Sequence, residues 1–139
     1  MLKTTLCSIL HLLARALGCP ACSLYRLPIT SAQITSGMDS GIPEVDLFWD
    51  QSVTYALDAE AAREFKFKQG REALTLVAQE RSVLGDVDVK TTDAELTITI
   101  RRNTGPWRAK ATLYFTALGD KKPAPGGLDP SVKNYGKPH

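Results

Sequence analysis

The chain has 139 residues, of which 43% are hydrophobic and 23% charged, and a formal net charge of +2. That length holds one domain with a modest core. Average apolar content excludes wholesale disorder and a polytopic membrane protein, and so small a charge makes no case for a nucleic-acid partner.

The N-terminus reads as an address. No Asp or Glu precedes Asp39, and Lys3 is followed by an apolar run, Leu6 to Leu13, too short to span a bilayer. Ala14-Arg15-Ala16 offers the A-x-A arrangement of a signal-peptidase site, with Leu17 as the new terminus; His11 and Arg15 depart from the usual pattern. In "ALGC" the pair Gly18-Cys19 resembles a bacterial lipobox over those four residues, which makes Cys19 a candidate lipid acceptor. Ala16 and Leu17 each stand where that pattern usually has another residue. A mitochondrial presequence is the alternative, because Leu2, Leu6, Ile9, Leu13 and Leu17 form a helical stripe beside Lys3, Arg15 and Arg26. Residues 1–18 are therefore expected to be a targeting leader. Export to the periplasm, cell envelope or exterior is the leading destination, with membrane contact only through an N-terminal anchor.

Cys7, Cys19 and Cys22 are the only cysteines, so disulfides do not staple the body of the chain. Cys19-Pro-Ala-Cys22 has the gap of a thioredoxin-type dithiol, but no βαβ context surrounds it. A zinc site lacks a second ligand pair, since only Cys7, His11 and the terminal His139 remain. A local Cys19–Cys22 disulfide, or a pair left over from processing, is the simpler expectation.

Residues 19–43 read as a linker and first strand region, and residues 44–118 as the β domain. In "VDLFWDQSVTYAL" Val45, Leu47, Trp49, Val53, Tyr55 and Leu57 share one face, with Phe48 the exception to the alternation. Asp58 is placed to cap one helical turn carrying Glu60 and Ala61. "EFKFK" resumes the alternation with Phe65 and Phe67 inward. "EALTLVAQERSVL" mixes helix formers with an alternating Leu74, Leu76 and Ala78, and a strand is favoured.

The segment from Asp86 to Leu118 carries three alternating runs, punctuated by "TTDA" and "NTGP". A loop at Thr92-Asp93 would pair Val89 with Leu96, Val87 with Ile98 and Lys90 with Glu95. A loop at Asn103–Pro106 would pair Ile98 with Ala111 and Leu96 with Leu113, which places Arg101 opposite Arg108. Both registers keep the apolar residues on one face. The last stretch, 119–139, is dense in Pro, Gly and Lys and is expected to be a flexible tail. The fold expected is all-β: an antiparallel sandwich of five to seven strands and at most one short helix, the size of a transthyretin- or immunoglobulin-type domain. A small β-barrel is the alternative.

Enzymatic chemistry finds little to work with. The only histidines are His11 and His139. "MDSG" at 38–41 resembles the segment around a serine nucleophile, yet no imidazole in the body could activate Ser40. Asp86 and Asp88 share a strand face but lack a third ligand for a cation, and no phosphate loop or dinucleotide fingerprint occurs. No cofactor, metal or catalytic residue is expected.

The outer strand face offers more. Arg101, Arg108, Lys110 and Tyr114 are the candidate partner-binding residues, because like charges across a ladder are mildly destabilising and suit an anionic partner. The expectation is a non-catalytic, exported or envelope-associated module that binds or scaffolds another protein. Its alternative is a polyanion-binding barrel using Arg101, Arg108 and Lys110, with nucleic acid disfavoured by the low basicity.

Overall fold

The computed structural model describes residues 25–38, 42–48, 50–101 and 106–135. The leader, Cys19 and Cys22, Ser40, Trp49 and most of the Asn103–Pro106 loop lie outside the described residues.

The chain forms an all-β sandwich whose sheets do not close into a barrel. Its strands are β1 Tyr25–Ile29, β2 Val45–Leu47, β3 Ser52–Leu57, β4 Phe65–Phe67, β5 Leu74–Ala78, β6 Arg81–Ser82, β7 Val87–Thr91, β8 Glu95–Ile100, β9 Trp107–Leu113, β10 Phe115–Ala117 and β11 Ser131–Asn134. One sheet runs β1-β3-β8-β7, the facing sheet runs β2-β11-β9-β5-β6, and β4 pairs with β10 at one end. The pairings are mixed: β1 lies parallel to β3, and β2 parallel to β11.

Among the described residues two short helices form, where one at most was expected. Helix α1, Ser31–Ser36, starts in a capping box: Thr30 Oγ1 accepts from Gln33 N and Gln33 Oε1 accepts from Thr30 N. Helix α2, Ala59–Glu64, is capped by Asp58, whose carboxylate accepts from Ala61 N at 2.8 Å. The ambiguous "EALTLVAQERSVL" is a hairpin, with Gln79 and Glu80 both in the left-handed region that a tight primed turn requires.

The alternation holds: Val53, Tyr55, Leu96, Ile98 and Ile100 from one sheet face Val45, Leu47, Leu76, Ala109, Ala111 and Leu113 from the other, all buried. Phe65 and Phe67 fill the end, where Phe67 meets Phe115 with ring centroids 5.0 Å apart. The Tyr55 hydroxyl is sealed in this core with no hydrogen-bond partner among the described residues, and burial pushes the phenol's pKa up.

Three further expectations, on strand pairing and the C-terminal stretch, are corrected. First, β8 and β9 do not pair. β8 is flanked by β3 and β7, while β9 is flanked by β5 and β11. An inward-facing residue is equally well buried in either sheet, so alternation fixes the face and leaves sheet membership open. The Trp107 indole, donating to Asp86 Oδ2 at 2.9 Å, ties the two sheets together near the crossing.

Second, the β7–β8 turn moves by one residue. Thr92 N donates to Glu95 O at 2.8 Å and Thr92 Oγ1 accepts from Glu95 N, which places Asp93-Ala94 in the loop. Val89 then pairs with Ile98, and Lys90 with Thr97. The inward face survives because the partner shifts by two. Glu95 instead holds Arg26 of β1.

Third, the stretch read as a flexible tail is structural from Ala124 to Tyr135. Ala124 N donates to Ile34 O at 2.9 Å, Leu128 exchanges both backbone bonds with Leu113, and Pro130 O accepts from Ala111 N at 2.8 Å. Strand β11 follows, inserted between β2 and β9, with Leu128 and Val132 fully buried. Gly127 lets the chain cross this closely: its φ is +76, and a Cβ there would lie 2.7 Å from Leu113 O. Low apolar density does not make this stretch disordered, because a strand bonded on both sides satisfies its backbone with few apolar side chains.

Leu128→Ala is therefore expected to cost about 2–5 kcal/mol, as much as Ile98→Ala in the other sheet. Lys122→Ala, on an exposed position of the same stretch, should stay within about 0.5 kcal/mol. Urea denaturation of the three variants measures the contrast, and equal midpoints for Leu128→Ala and Lys122→Ala would contradict the buried position of Leu128.

Candidate functional site

The outer face of the five-stranded sheet gathers several charged and aromatic side chains that the fold leaves uncovered. Its rows follow from the register. Asp46 on β2 lies beside Lys133 on β11, and Lys133 lies beside Arg108 on β9. One row away, Lys110 pairs with Ser131 on one side and Val77 on the other. Phe48 and Tyr135 extend the face just past the ends of β2 and β11.

Lys133 opposite Arg108 is a like-charge pair across a ladder, which by itself is unfavourable. Both cations are diverted. Arg108 turns to Glu44 and donates twice, at 2.6 Å and 2.9 Å, in the fork geometry that a carboxylate accepts best. Lys133 places its Nζ 4.6 Å from the centroid of the Tyr135 ring. Tyr135 in turn stacks on Phe48 with centroids 5.1 Å apart and planes at 27°.

Phe48 is 37% exposed and Tyr135 39%, so the stack presents apolar surface to solvent inside a charged frame. Phe48 breaks the alternation because it stands where β2 ends: Phe48 N donates to Gln51 Oε1 at 2.9 Å, and Phe48 O accepts from Gln51 N.

The Glu44 carboxyl is held below the usual carboxylate range. The Arg108 hydrogen bond is the largest cause, and the positive charges of Arg108 and Lys133 add to it against desolvation. The Arg108 guanidinium is correspondingly raised. A depressed carboxylate pKa contributes above its ordinary value of 4.5, and the contribution fades as pH falls through the lower folded value.

Of the residues singled out by sequence, Arg108 and Lys110 do lie together here, both exposed. Arg101 does not join them. It follows β8 in the other sheet and binds Asp88 through Nε at 2.9 Å and Nη2 at 2.8 Å. Tyr114 is half-buried between β9 and β10, with its backbone N bonded to Ala73 O and its carbonyl to Lys68 N. Asp86 and Asp88, read as sharing a strand face, are held apart: Asp88 pairs with Thr99 in the ladder, while Asp86 accepts from Trp107.

Glu44, Phe48, Lys133 and Tyr135 were missed. Phe48 carried one signal, its departure from alternation; Lys133 and Tyr135 fell in the presumed tail. Among the described residues, no three His, Cys, Asp or Glu side chains converge as metal ligands, and no helix is long and apolar enough to cross a membrane.

No protein-family model and no curated protein matches the chain. Among solved structures, the crystal structure of a cysteine protease inhibitor from Entamoeba histolytica is similar at 9% identity, covering 80% of this chain and 96% of that one, with a TM-score of 0.35. A likeness that weak carries no argument about topology or activity.

Arg108→Gln should let the Glu44 carboxyl titrate closer to its ordinary 4.5. Carboxyl carbon shifts followed by NMR from acid to neutral pH measure this. A Glu44 midpoint that does not move would show that the ion pair is absent in solution.

Proposed function

We propose that this chain is a non-catalytic, exported protein-binding module whose contact surface is the outer face of the five-stranded sheet. The observation that carries the proposal is the exposed Phe48–Tyr135 stack, framed by the Arg108–Glu44 pair and Lys133. Aromatic and arginine side chains dominate binding energy at protein interfaces, and here they sit together along and just past the bonded strands β2, β11 and β9. Export rests on the acid-free leader with its A-x-A segment.

The polyanion alternative has less support. The sandwich is open, and on this face Arg108 is neutralised by Glu44 while Asp46 lies beside Lys133. A nucleic-acid surface needs cations free to replace phosphate counterions.

The test is affinity capture from an envelope extract of the native host, with wild type compared against Phe48→Ser and Arg108→Ala. A partner held by wild type should bind each variant more weakly by about 2 kcal/mol, roughly 30-fold in Kd, at unchanged thermal midpoints. Equal retention by all three proteins would contradict the proposed surface. Steeply salt-dependent binding of single-stranded DNA would favour the polyanion reading instead.

A further inference from the structure

The sandwich is open along its other long side. Strand β7 ends one sheet and β6 ends the other. Between them lies a cleft of about 630 Å³, with Leu74, Leu84, Val87 and Val89 among its apolar walls and Arg71 and Arg101 among its polar ones.

The hydrogen-bond phase of β7 shows which backbone groups border this space. Thr92 N donates to Glu95 O at one end of the β7–β8 ladder, and Arg101 N donates to Asp86 O at the other. In an antiparallel ladder the bonded residues alternate, so Asp88 and Lys90 also face β8. The backbone groups of Val87, Val89 and Thr91 therefore point away from it. Val87 N is used by Leu84 O, closing the 3₁₀ turn Leu84–Asp86. Among the described residues no backbone partner exists for the carbonyl of Val87 or for either group of Val89 and Thr91.

We infer that this edge takes up an extended peptide from another protein as an added strand on β7, its inward side chains seated in the cleft. The inference rests on the protein-binding reading but assigns a second surface, across the sandwich from the aromatic face. An added strand bonds to the Val87 carbonyl and to the outward groups of Val89 and Thr91, and its alternate side chains cover Leu84 and Val89. Main-chain bonds then supply affinity, and the apolar walls supply sequence preference.

Charge narrows the occupant. Asp88 is held by Arg101 at 2.8 Å. Arg71 is exposed and has no ion partner among the described residues. The occupant is thus a β-forming segment of alternating apolar residues with one acidic side chain placed to meet Arg71.

A phage-displayed library of random nine-residue peptides, selected on the full chain, tests this. Selected sequences should alternate apolar residues and carry an Asp or Glu, and on binding the amides of Val89 and Thr91 should exchange more slowly. Val89→Pro removes an outward donor while leaving the β8 ladder intact, and an edge strand whose N–H faces outward is a setting in which proline is accepted. Val89→Pro and Arg71→Glu should each weaken the selected peptides at least tenfold, whereas Phe48→Ser should leave them unchanged. Arg71→Glu keeps the test valid if the proline variant proves unstable. The inference fails if neither variant weakens any selected peptide, or if only Phe48→Ser does, an outcome that leaves the aromatic face standing. It also fails if Val89 and Thr91 become protected at high protein concentration without peptide, which would mean that a second copy fills the edge.

Discussion

The insertion of β11 between β9 and β2 is the constraint on which the five-stranded sheet depends. Among the described residues β2 has no other ladder, so its backbone, with Asp46 and the adjoining Phe48, is registered against β9 through that inserted strand, and the Glu44–Arg108 pair is the direct side-chain link. Backbone bonding alternates along it. The Pro130–Ala111 bond sets Val132 and Asn134 facing β9, and the Tyr135–Leu47 bond sets Lys133 and Tyr135 facing β2. Val132 and Leu128 close the inner face, while Lys133 and Tyr135 build the outer one. One short segment thus completes the core and the candidate interface together.

The parts of the fold legible in the sequence were those set by local rules. The inward faces of β3, β8 and β9 followed from alternation, the start of α2 from the Asp58 cap, and the Phe65–Phe67 strand from the alternation of its phenylalanines with Lys66 and Lys68. What remained hidden was set by partners distant in sequence. Nothing in "ITIRRNTGPWRAK" distinguishes a hairpin from a crossing between sheets, because both bury the same residues. Nor does composition register that β9 had an open edge waiting for "SVKN". A proline- and glycine-rich window signals disorder only where no ladder is available to it.

The candidate site was half legible for the same reason. Arg108 and Lys110 occupy outward positions whichever strand pairs with β9, so parity alone exposes them. Their neighbours depend on pairing. The like-charge contact expected between Arg101 and Arg108 exists in kind, but between Lys133 and Arg108, and the structure relieves it with Glu44 and Tyr135. Phe48 looked like an error in the pattern. It is where β2 stops and the surface gains an aromatic group.

Two kinds of surface result from one architecture: a framed aromatic patch where β11 closes a sheet, and a strand edge at β7 that no described residue fills. The patch depends on β11 and the edge does not. Amide hydrogen exchange along β11 is the most direct test that this strand holds the patch together. Val132, Lys133, Asn134 and Tyr135 should all exchange as slowly as the amides of β9, since each is bonded to one neighbour or the other. Exchange of these four at the rate of an unprotected loop would show that β2 and its aromatic group are not held against β9.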